Sequence, residues 1–146
     1  MNKKDKPTEL SYYGLYLLSH LKENHPDKVH DAAFIASRSD HAADVYEQAR
    51  LEGYLPEGAH ELAMAALLEG LHFSKYDTII EVLWNEFSDE VAQSDAPAAA
   101  LKLQPSLEGI FSRYPLSDDF AYLPEYEQLY TELAGAILIL LEEDGI

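Results

Sequence analysis

Glu69 and His72 stand three residues apart in EGLHFSKYDTIIEVLWNEF (69–87), and Ser74, Lys75, Tyr76 and Asp77 follow almost at once. An acid and an imidazole one helical turn apart are the ligand pair with which di-iron helical bundles hold metal. A complete centre of that kind needs a second such pair and two further glutamates. Gly70 lies inside the motif, where the preceding helix should stop, and a stop there takes Glu69 and His72 off a common face. Glu69 and His72 are therefore the metal candidates of the chain, but no bound metal, cofactor or catalytic residue is expected from them.

The remainder of the stretch has a mechanical reading. Ser74 and Asp77 have the spacing of a capping box, with Asp in place of the usual Glu or Gln. Asp77 also suits the positive end of the helix dipole. Beyond the cap, Tyr76, Ile79, Ile80, Leu83, Trp84 and Phe87 follow the helical period and predict a core stripe. Lys75, Thr78, Glu81, Asn85 and Glu86 lie off it and are expected in solvent.

Other constellations are incomplete. His30-Asp31 resembles the ligand pair of the HD phosphohydrolases, which also need His and Asp ligands at set separations. His20, His25, His41 and His60 are present, but no spacing singles them out. Acidic pairs such as Glu57/Glu61 and Glu127/Glu132 resemble the carboxylates of all-helical nucleotide pyrophosphatases, yet arise readily in so acidic a chain. There is no Gly-rich phosphate loop, nucleophile elbow or H-E-x-x-H zinc helix. With no cysteine, thiolate metal sites and thiol nucleophiles are excluded. A metal-dependent hydrolase with His and carboxylate ligands is the catalytic alternative.

The elements that would position these residues read as helices throughout, and no run alternates cleanly like a strand. A helix capped by Thr8 runs to about Asn24, where His25-Pro26 ends it. Leu10, Tyr13, Leu17 and Leu21 share a face with apolar neighbours all round, which predicts a central helix with Gly14 at a close crossing. Asp27 is read as the next cap, and Ser37–Asp40 as either a break in the helix or a polar turn within it. A helix from about Asp40 to Gly53 and one opening at Pro56 and closing at Gly70 follow. The acidic, Ala-rich stretch 88–100 is read as an internal linker. Two short helical pieces meeting at Gln104-Pro105 come next, then a loop with aromatic anchors, YPLSDDFAYLP (114–124).

The last helix, about Pro124 to Glu143, places Tyr126, Leu129, Tyr130, Leu133, Ile137, Leu140 and Leu141 on one face. Leu138 and Ile139 form a second apolar face, which predicts burial in the bundle or a homodimer. The expected fold is all-α: a disordered tail over 1–7, then a single-domain bundle of five to seven helices over 8–146.

The formal net charge is −17, from 10 basic and 27 acidic residues. Such a surface repels nucleic acid and anionic lipid, because binding either depends on cationic side chains. Direct nucleic-acid and membrane binding are not expected. The longest apolar run, Leu133–Leu141, has nine residues, short of the ~20 that span a bilayer. The start, MNKKDKPTEL, has no apolar core behind its lysines and is not a secretory signal, so the expected location is the cytoplasm. The composition fits a non-catalytic protein-interaction or regulatory module with a protein partner of basic character, and the sharper form is an inhibitor that mimics nucleic acid.

The blocks ELSYYGLYLL (9–18), YEQARLEG (46–53), ELAMAALLEG (61–70) and, most distinctively, GLHFSKYDTI (70–79) resemble an uncharacterised bacterial family of domains of unknown function, known chiefly from Bacteroidetes. The resemblance spans most of the chain. It implies a small helical cytosolic protein without assigned activity, often met near mobile-element genes.

Overall fold

The computed structural model describes residues 11–144. Its regular elements are α1 (Tyr12–Asn24), α2 (Ala32–Leu51), α3 (Pro56–Leu68), α4 (Lys75–Glu86), α5 (Ala96–Phe111) and α6 (Glu125–Asp144). Short 3₁₀ turns lie at Pro26–Lys28, Gln93–Asp95 and Phe120–Tyr122. The fold is all-α, as the periodicity predicts. The expected tail, the cap at Thr8 and Leu10 lie outside the described residues. Among the described residues no helix is long and apolar enough to cross a membrane.

These residues gather into two compact units. One holds the described chain up to Glu23 together with Asp27–Glu69; the other holds Asn24–Pro26 and the described chain from Gly70.

In the first unit, Ser11 starts α1: its hydroxyl accepts the Gly14 N–H at 3.1 Å and its carbonyl the Leu15 N–H at 2.9 Å. Gly14, Leu17 and Leu21 are buried, whereas Tyr12, Leu15 and Tyr16 are exposed. The apolar circumference of α1 is thus half surface, not the lining of a central helix.

Helix α2 is capped by Asp31, whose carboxylate accepts the Phe34 N–H at 3.1 Å, and not by Asp27, which sits in a 3₁₀ turn. It then runs unbroken through Ser37–Asp40. Arg38 and Ser39 there have partners within the unit. Ser39 Oγ donates to the Ile35 carbonyl at 2.5 Å, one turn back. Arg38 reaches to the end of α3 and donates to the carbonyls of Leu67 (3.0 Å) and Glu69 (2.7 Å). A guanidinium on these last carbonyls satisfies acceptors a helix C-terminus otherwise leaves open, and complements its negative dipole end. Of the two readings, a break and a polar turn within the helix, the break is overturned: the four residues lie inside α2, and Arg38 among them caps α3.

In the second unit α4, α5 and α6 pack around Ile79, Leu83, Leu103, Leu107, Phe111, Leu129, Leu133 and Ile137. The stretch 88–100, expected as a linker, belongs to this core. Val91, Ala96, Ala99 and Ala100 are buried, and α5 begins within it. Helix α5 is also one helix and not two, with Pro105 in its interior. Proline removes the N–H that would bond the Leu101 carbonyl. Both residues lie on the exposed side, where water can serve that carbonyl, while Leu103, Leu107 and Phe111 anchor the opposite face.

The stripe of α4 is rotated from its sequence reading. Thr78, Ile79, Ile80, Val82, Leu83 and Phe87 are buried, Tyr76 is half-buried, and Trp84 keeps 46% of its surface. At about 100° per residue these buried positions form a broad arc centred near Ile79 and Leu83, and Trp84 falls past its edge. Its indole N–H donates to the Gln93 carbonyl at 3.3 Å. Thr78 is buried without loss because its hydroxyl donates to the Ser74 carbonyl at 2.8 Å. The second apolar face of α6, Leu138 and Ile139, is half exposed and does not reach the core.

Candidate functional site

The turn before α4 carries the densest set of chemistry-capable side chains. Helix α3 ends at Leu68, and Gly70 takes φ +79°, a left-handed conformation that favours glycine. Glu69 and His72 are exposed and do not share a helical face. Among the described residues no group of three or more His, Asp or Glu side chains is arranged to hold a metal ion.

The polar groups of the turn are engaged by backbone. Ser74 Oγ accepts the Asp77 N–H at 2.9 Å, the N-cap bond that its spacing predicts, and donates to the Asn24 carbonyl. His25 is buried to 6% exposure, and its Nε2–H donates to the Leu71 carbonyl at 2.7 Å. Asp118 closes the other side: one carboxylate oxygen accepts the Gly70 N–H at 2.9 Å and the other accepts the His72 N–H at 3.1 Å. Three peptide groups of the turn are thus bonded by residues 46 to 48 positions away.

Aromatic packing completes the arrangement. Phe73 is buried with its ring edge-on to Phe120, centroids 5.3 Å apart, and 6.4 Å from Tyr126. Of the aromatic residues in the 114–124 loop, Phe120 is buried and also meets Tyr114 at 5.9 Å, whereas Tyr122 is exposed. Three phenols then pair with acids. Tyr126 donates to Glu81 at 3.2 Å, Tyr130 to Glu86 at 3.1 Å, and Tyr114 to Glu132. Burial, followed by the nearby Glu81 charge, pushes the Tyr126 phenol up to about 12, against an ordinary 10.0. Burial also leads the rise at Tyr130, whereas the hydrogen bond to Glu132 leads at Tyr114. A phenol that holds its proton more firmly than usual is a donor that locks helices together, not an activated nucleophile. Lys75, next to the cap, pairs with Glu108 at 2.7 Å and lies over the Phe111 ring, 5.7 Å from its centroid. The site is built to hold a turn.

His25, Asn24 and Asp118 were not singled out by spacing, since their partners are backbone groups far along the chain. A further signal was legible and lies elsewhere: Glu57-Gly58-Ala59-His60 repeats the Glu-x-x-His spacing, inside α3. There His60 is in ring contact with Tyr13 at 6.2 Å and Tyr12 at 5.9 Å, so its imidazole is part of an aromatic cluster.

The first unit presents a different surface. The α2–α3 turn exposes Leu51 (81%), Leu55 (73%) and Tyr54 (46%). Glu47, Glu52, Glu57 and Glu61, all exposed, occupy the flanking positions.

Residues 5–146 match the model of a family described as a domain of unknown function, DUF1896. The chain is also similar to a solved structure, the crystal structure of protein PG0816 from Porphyromonas gingivalis. Identity is 39%, the TM-score is 0.86, and 97% of each chain is covered. Comparison with curated proteins finds no match.

Proposed function

The chain belongs to the DUF1896 family, and we propose that it is a non-catalytic, acidic protein-interaction module that works in the cytoplasm on a partner with a basic surface. The observation that carries this reading is the engagement of the turn before α4. There Ser74, His25 and Asp118 bond peptide groups, Lys75 pairs with Glu108, and Glu69 and His72 lie exposed without forming a metal-holding group among the described residues, while a net charge of −17 remains on offer to a partner. Charge of one sign steers encounter with a complementary surface and suppresses wrong partners. In the regulatory form of this role the module covers its partner's basic surface as nucleic acid would.

The test is capture from a native lysate on immobilised full-length protein at low salt, joined to metal analysis of protein purified without a histidine tag. The expected result is a small set of basic proteins released by moderate NaCl. Stoichiometric Mn, Fe or Zn together with phosphoester hydrolysis would overturn the reading in favour of a hydrolase.

A further inference from the structure

We propose that the α2–α3 turn is the docking point for a basic, amphipathic protein segment, an inference that rests on the interaction reading and gives it an address.

The turn is rigid. The Tyr54 N–H donates to the Ala49 carbonyl at 3.0 Å and the Gly53 N–H to the Arg50 carbonyl at 3.1 Å. Gly53 takes φ +102°, and Arg50 Nη1 donates to the Tyr54 carbonyl at 2.7 Å. This is the hydrogen-bonded helix ending in which glycine takes the left-handed position. A surface held this way loses little conformational freedom on binding.

Two of its apolar side chains lie mostly in solvent. Leu51 and Leu55 are the most exposed leucines among the described residues with large exposed surface. Leu55 occupies the N-cap of α3 and makes no capping hydrogen bond there. Ser, Thr, Asp or Asn at that position would satisfy an open N–H of the helix. The chain thus forgoes a cap and places a leucine in water, at the end of an otherwise well-bonded turn.

Charge decides the occupant. Over 47–61 four exposed glutamates flank the apolar residues, and the one Lys or Arg, Arg50, bonds the turn itself. A second copy placed symmetrically here would bring like charges together, which costs several kcal/mol. Nucleic acid and anionic lipid are repelled for the same reason. A protein segment with leucine-sized side chains flanked by Lys or Arg satisfies both the apolar and the charged parts of the surface.

The test uses full-length protein and two fluorescein-labelled synthetic peptides of equal charge, one patterned Leu/Lys as an amphipathic helix and one with every Leu replaced by Ser. Anisotropy titration at low salt should show tighter binding of the Leu/Lys peptide, by roughly tenfold, as expected when apolar anchors add to charge. Leu51→Ser/Leu55→Ser should erase that margin, and Leu138→Ser/Ile139→Ser on α6 should leave it. Glu52→Gln/Glu57→Gln should weaken both peptides, and this pair carries the test if the leucine variant does not fold. A margin that survives in the turn variants, or is lost in the α6 variant, overturns the docking point while the interaction reading stands. Sedimentation showing dimers that the leucine variant dissolves assigns the turn to a second copy and also overturns it. No binding of either peptide overturns the interaction reading itself.

Discussion

Leu83 has no accessible surface, whereas Trp84, next along α4, keeps nearly half of its own and bonds a turn carbonyl through its indole. Truncating the first removes a side chain from a close-packed core; truncating the second removes a flank. Leu83→Ala should therefore cost about 2–5 kcal/mol, and Trp84→Ala about 1 kcal/mol, both measured by urea unfolding. Equal losses would mean that α4 faces the core differently. Helical spacing places Trp84 on the stripe, but the buried arc is centred nearer Ile79 and Leu83 and leaves Trp84 past its edge. Ser74 was legible because its cap is local, with the acceptor oxygen and the Asp77 N–H three residues apart. His25 and Asp118 were not, because each bonds a peptide group that only the folded chain brings near.

Helices α4 and α6 are tied by the phenols of Tyr126 and Tyr130 on Glu81 and Glu86. The Tyr126 phenol is raised to about 12 from 10.0, first by burial and then by Glu81. A raised folded value means that the native state favours the neutral phenol. Its contribution to stability is complete below pH 10, the unfolded value, and is lost as pH rises through about 12. Unfolding free energies of Tyr126→Phe and the native chain, compared from pH 9 to pH 12, should show a shallower alkaline decline in the variant. Parallel curves would sink this account of the helix contact. The elements themselves were largely readable, because apolar periodicity and caps are local properties. The break considered at Ser37–Asp40 and the misreadings at 88–100 and Pro105 share a cause. Polar, acidic or proline-bearing segments read as interruptions, yet Arg38 and Ser39 find carbonyls to bond, and alanines at 96, 99 and 100 are buried in the core.

Across the whole molecule, 27 acids face 10 bases, and ion pairs such as Lys75–Glu108 and Arg113–Glu132 neutralise little of the excess. Self-repulsion of this kind destabilises the compact state, and screening relieves it. Raising NaCl from about 0.02 to about 0.3 M shortens the reach of exposed charges to below roughly 10 Å. The midpoint of thermal unfolding should rise over that interval, and a flat or falling midpoint would count against the charge account. The hydrogen bonds of Asn24 and His25 have a separate consequence, for the order of synthesis. Their partners, Ser74 and Leu71, are added 50 and 46 residues later. At roughly 5–20 residues per second, the ribosome releases the loop after α1 seconds before the turn that receives it. The second unit therefore closes around a piece of chain made while the first was still incomplete. A gene cut after Glu69 would strand that piece, so the two units cannot be inherited, shuffled or expressed as consecutive cassettes.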